Sequence, residues 1–75
     1  MKFIEMTGKE LRDVVNENEM NLEDLRAAGV TDDSVVRINE QGDIEVRRAN
    51  GWDVIGGLLG NYEQRIKRRL NMDWA

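Results

Sequence analysis

The stretch that decides the fold is "SVVRINEQGDIEVRRANGWDVIGG", Ser34 to Gly57. Apolar and polar residues alternate through it, and a period of two marks a half-buried strand. Glu40-Gln41-Gly42 fits a three-residue hairpin loop, with Gly42 at the left-handed bulge position. Asn50-Gly51 is the preferred pair for a tight type I′ turn. The first loop sets Ile38 opposite Ile44, Val36 opposite Val46 and Arg37 opposite Glu45. The second, with 50 and 51 as the turn, sets Ala49 opposite Trp52, Arg48 opposite Asp53 and Val46 opposite Ile55. Both registers gather Val36, Ile38, Ile44, Val46 and Ile55 on one face, and both put opposite charges across from one another. The spacing predicts a three-stranded antiparallel meander.

Toward the C-terminus the period changes at Gly56-Gly57. "LLGNYEQRIKRRL" then reads as a closing helix, with Leu58, Leu59, Tyr62, Ile66 and Leu70 as its apolar stripe. A single helix from Trp52 to Leu70 is the rival. It must carry three interior glycines at about 1 kcal/mol each against alanine, and it discards the Asn-Gly turn. Toward the N-terminus, Thr7-Gly-Lys-Glu10 is a capping-box pattern, followed by Leu11, Val14 and Val15 on one helix face. Asn21 caps a second helix, "NLEDLRAAG", with Leu22, Leu25 and Ala28 aligned and Gly29 as a left-handed stop. Met1, Phe3 and Ile4 are expected in the core, in a lead-in whose conformation, extended or helical, stays open.

The expected fold class is therefore α+β: two short N-terminal helices, a three-stranded antiparallel meander, and a C-terminal helix packed on the sheet. Residues 1–75 form one small α+β domain, near the lower size limit for a single core. Hydrophobic content of 40% and charged content of 35% suit a globule rather than a disordered chain. No cysteine and no histidine occur. Thiolate sites, the usual neutral-pH base and the commonest metal ligand are thereby removed. No metal and no cofactor is expected, and the chain reads as no enzyme. "MKFIEMTGKEL" interrupts its apolar residues with acids, unlike a signal peptide, and no run is long enough to span a bilayer. The expected location is cytoplasmic, with no membrane and no small-molecule substrate.

Charge is lopsided. Residues 1–33 hold nine acids and four bases, and residues 34–75 hold six acids and seven bases. Such halves complement a partner or a second copy. The glycines at 51, 56, 57 and 60 make no phosphate loop, because no Gly-Lys-Ser/Thr follows them. The carboxylates Asp32-Asp33 and Glu23-Asp24 lack calcium-loop spacing and read as solvated acids.

Leu22, Asp24, Leu25, Ala28, Gly29, Val30, Thr31, Ser34, Val35 and Arg37 match, in type and spacing, a helix-turn-helix in "NLEDLRAAGVTDDSVVRINEQG". The stretch resembles that motif in the lactose-repressor family. The resemblance covers under a third of the chain and implies a DNA-reading second helix. It departs at Arg26, where the family keeps a small residue so that the helices touch. Asp32 and Asp33 would also face phosphates. The same residues "SVVRIN" serve the hairpin, which is the reading kept. Nucleic-acid binding of winged-helix or helix-turn-helix type stands as the alternative function.

Two candidate binding surfaces follow. Arg65, Arg68 and Arg69 share a helix face at i, i+3, i+4. They suit either the helix's own C-terminal dipole or an anionic partner. The outer face of the meander carries Arg37, Arg47, Trp52 and Val54, an unusual set for a merely solvated sheet. Either the tail "NMDWA", with Met72 and Trp74, folds over it, or it is a recognition patch. The functional expectation is a small non-catalytic interaction or regulatory module, binding a protein partner or itself rather than nucleic acid.

Overall fold

The computed structural model describes residues 2–74. Their order is β1 (Phe3–Thr7), α1 (Gly8–Val14), α2 (Leu22–Ala27), β2 (Val35–Asn39), β3 (Asp43–Arg48), β4 (Gly51–Gly57) and α3 (Tyr62–Leu70). The class is α+β with an antiparallel sheet in the order β1-β2-β3-β4. The sheet thus has four strands, not three. The undecided lead-in is extended. Ile4 and Met6 point inward while Phe3 and Glu5 point out. Met1, also expected in the core, lies outside the described residues.

Local chemistry accounts for the helix starts. Thr7 and Glu10 close a capping box on α1, and Asn21 and Asp24 close one on α2. Gly8 lies buried against the loop before β2, where its N–H meets the Ser34 carbonyl at 2.9 Å. Gly29 takes φ +75° after α2, the left-handed stop its sequence position predicts.

The β2–β3 register is the expected one: Val36 opposite Val46, Arg37 opposite Glu45, Ile38 opposite Ile44. Asn39 builds the loop between them. Its Oδ1 accepts the N–H groups of Gln41 at 2.9 Å and Asp43 at 3.0 Å, and Gly42 takes φ +87°.

The β3–β4 register differs from expectation. The turn is Ala49-Asn50, and Gly51 opens β4 opposite Arg48. A type I′ turn needs positive φ at both central residues. Among the described residues, Asn71 is the lone non-glycine with positive φ. Val46 consequently faces Asp53 rather than Ile55, and Arg47 rather than Ala49 faces Trp52. A bulge at Ile44/Glu45 makes Ile55 the extra residue and sets Gly56 opposite Ile44. Gly56 is closely packed there: a Cβ on it would stand 3.2 Å from the Met20 sulfur. Ile55 is only half-buried. The Arg48–Asp53 ion pair forms all the same at 3.4 Å, although the two residues are not opposite, and Arg48 also reaches the Ala28 carbonyl.

One face of the sheet holds the core. Ile4, Met6, Val36, Ile38, Ile44 and Val46 meet Leu11, Val14, Leu25 and Ile66 from the helices and Met20 and Leu58 from loops. Three expected core residues are outside it: Phe3 points to the opposite sheet face because Ile4 and Met6 take the inward positions of β1, Leu22 is 46% exposed and Leu59 is 60% exposed. Leu59 precedes α3, which begins only at Tyr62, so it never joins the helical stripe. Met72 and Trp74 pack against the core cluster, not over the opposite sheet face. No helix among the described residues is long and apolar enough to cross a membrane.

Candidate functional site

The basic face of α3 is engaged by the fold. Arg65 donates to the Val14 carbonyl at 2.8 Å, the Leu59 carbonyl at 2.9 Å and both oxygens of Glu19, at 2.5 and 2.8 Å. Arg69 donates to the Asp13 carbonyl at 2.8 Å. These two arginines cap the C-terminal carbonyls of α1, which have no partner within their own helix. Arg68 is exposed. The side chains of Glu19 and Arg65 are 1% and 12% exposed. Burial pushes the Glu19 carboxyl upward. The Arg65 guanidinium and the N–H groups of Asn16 and Leu59 outweigh it and hold the carboxyl at about 2, down from 4.5. Arg65 is raised in turn by its hydrogen bonds to Glu19.

The outer sheet face is organised differently. Every second residue of each strand points there. Glu5, Arg37, Glu45 and Val54 form one row across the four strands. Arg37 lies between two aromatic rings, its guanidinium carbon 3.8 Å from the centre of Phe3 and 4.0 Å from that of Trp52. Its Nε and one terminal nitrogen donate to Glu45 at 3.2 and 3.0 Å. Asn39 donates to the other oxygen of Glu45 at 3.2 Å and to Asp43 at 3.1 Å. Glu45 and Asn39 are both buried on a sheet face that no helix covers. The rings supply the cover: their faces attract the cation and exclude water from its pairing with Glu45.

Around this fixed centre lie exposed groups. Val35 is 41% exposed and Val54 is 59% exposed. Arg47, opposite Trp52, is exposed, as is Glu5. The structure thus brings Arg37, Arg47, Trp52 and Val54 together on one face. Arg65, Arg68 and Arg69 lie apart from them on α3. Phe3, Asn39 and Glu45 belong to the site but were not singled out for it by sequence. The Arg37–Glu45 pairing was legible from the hairpin register. The part played by Phe3 was not, because it depends on β1 pairing beside β2.

A shallow groove of about 410 Å³ lies on the helical side, between α1 and α2. Its floor includes Val15, Met20, Leu22 and Leu25, and its rim mixes Lys9, Arg12, Asp13 and Glu17. Arg12 is paired with Asp32. Residues 35–39, where a helix-turn-helix would place its recognition helix, form strand β2. No family model, no curated protein and no solved structure matches the chain.

Proposed function

We propose that this chain is a small non-catalytic interaction module, acting in the cytoplasm, whose recognition surface is the outer sheet face. The observation that carries the reading is the stacked Phe3–Arg37–Trp52 centre beside exposed Val35 and Val54. Binding energy concentrates on aromatic and arginine side chains that bury much area and still hydrogen-bond. Side chains already held in place lose little freedom on binding, so less of that energy is cancelled. The surface comprises Arg37, Arg47, Trp52 and Val54. Arg65 and Arg69 are left out of it because they serve α1, and a protein surface is favoured over nucleic acid.

The test uses Val54→Asp, which alters an exposed side chain and spares the stacked centre. Immobilised wild-type and Val54→Asp chains are compared for capture from extracts of cells that make the protein. The melting curves should coincide while the captured set is lost. Identical captured sets would remove the outer face as the recognition surface.

A further inference from the structure

We propose that Asn50 is a self-modification site, where the chain's own backbone converts the asparagine to aspartate and isoaspartate at the tip of the β3–β4 hairpin. Of the seven asparagines in the chain, Asn50 alone precedes a glycine. Asparagine is among the thermolabile residues. Its side-chain amide carbon lies one ring closure away from the main-chain nitrogen of the next residue. A side chain on that next residue hinders the approach, and glycine has none.

The fold leaves this pair open. Ala49, Asn50 and Gly51 are all exposed. Gly51 has φ +129°, and a Cβ built on it would meet nothing within 4 Å. Asn50 makes no side-chain hydrogen bond among the described residues. The hairpin ends at an edge strand of the sheet. Exposed tips of this kind open at little free-energy cost, so the amide carbon can rotate onto the Gly51 nitrogen. Asn39, in the other hairpin, is the internal contrast. It is 8% exposed. Its Oδ1 accepts from Gln41 and Asp43, and its Nδ2 donates to Asp43 and Glu45. That amide cannot turn without breaking those bonds, and Glu40 rather than glycine follows it.

The atoms balance with water as the co-reactant. The Gly51 nitrogen gives its proton to a solvent base and attacks Cγ of Asn50. The N–Cγ bond forms, the Cγ–Nδ2 bond breaks, and Nδ2 takes up a proton and leaves as ammonia. Water then opens the cyclic imide at either carbonyl. Cleavage of the new N–Cγ bond gives aspartate. Cleavage of the original main-chain bond to Gly51 gives isoaspartate, in which the chain runs through Cβ and Cγ. No oxidant or reductant takes part. Either product adds one carboxylate and takes the net charge from −4 to −5. Isoaspartate also adds one carbon to the main chain immediately before β4. Gly51 then loses its place opposite Arg48, and Trp52 its place opposite Arg47. The conversion loosens this edge of the sheet with age, and it needs no partner.

Ageing of the full chain at pH 7 and pH 9, followed by ion exchange and peptide mapping by mass spectrometry, tests this. Chain aged in guanidinium chloride at the same pH is the unfolded reference. A more acidic species should accumulate in the folded chain, faster at pH 9, and its fragments should place the lost amide at Asn50 and not at Asn39. Asn50→Ser has no side-chain carbonyl to be attacked and should lose that species. The isoaspartyl form, isolated from aged chain, should melt below fresh chain. Asn50→Asp carries the charge without the extra carbon and should melt closer to fresh chain. An amide kept at Asn50 in the folded chain while the unfolded reference converts fully would overturn the inference. Conversion at Asn39 as fast as at Asn50, or an acidic species formed by Asn50→Ser at the wild-type rate, would overturn it too. An isoaspartyl form that melts with fresh chain would overturn the loosening of the hairpin.

Discussion

Replacing Glu19 with glutamine removes the charge from a carboxylate that ties three segments together. Its oxygens accept Asn16 N–H at 2.7 Å, Leu59 N–H at 2.5 Å and two Arg65 nitrogens. The folded carboxyl titrates at about 2 instead of 4.5. The ionised form is thus favoured by folding. Its stabilisation is complete above pH 4.5 and is lost as pH falls through about 2. At about 1.4 kcal/mol per pH unit, that drop is worth about 3 kcal/mol. A chain of this length has about 4–11 kcal/mol in total. Glu19→Gln should therefore remove a large share of it and lower the melting temperature by about 12–24 °C. Arg65→Gln should cost about 3–5 kcal/mol, because it strands a buried carboxylate. Urea denaturation from pH 7 to pH 2 is the assay. The difference between wild type and Glu19→Gln should be constant above pH 4.5 and shrink toward zero near pH 2. An unchanged urea midpoint for Glu19→Gln, or a gap that does not close in acid, would refute the reasoning.

Gly8→Ala should cost about 1–3 kcal/mol in thermal melts, because a Cβ at this position runs into the Thr31 carbonyl oxygen. Leu59→Ser should change stability by no more than about 0.5 kcal/mol, since that side chain is 60% exposed. Trp52→Ala should cost about 1–2 kcal/mol of stability through the lost stacking on Arg37, and should weaken association in the same preparation. A loss of about 3–5 kcal/mol on urea denaturation would instead mark Trp52 as a core residue.

What could be read directly from the sequence shares one property: it is settled within a few residues. The two capping boxes close between positions three apart. The loop at 40–42 is settled by Asn39 and Gly42, which need no distant partner, and it carries the β2–β3 register and the Arg37–Glu45 pair with it. The closing helix is also evident from its 3.6-residue pattern, though not its first turn, because Leu58 and Leu59 precede α3.

The remainder was decided by contacts between segments far apart in the chain. β1 is a five-residue strand whose last residue already caps α1, so its alternation is too short to distinguish from other extended chain. Only pairing with β2, across residues 8–34, makes it a strand and brings Phe3 over Arg37. The β4 register is set by the turn at Ala49-Asn50 and by the bulge that leaves Ile55 as the extra residue, where Gly56 comes opposite Ile44 and close to Met20 from a distant loop. Arg65 looked like part of an open basic face because its partner, Glu19, is 46 positions away. By itself the sequence determined the helix caps, one hairpin and the class of fold, since the hydrogen bonds that settle the caps and that hairpin loop join near neighbours. Tertiary structure alone decided which cations stay free, where the fourth strand lies and which face is left open. Those depend on which side chains compete for the same buried space.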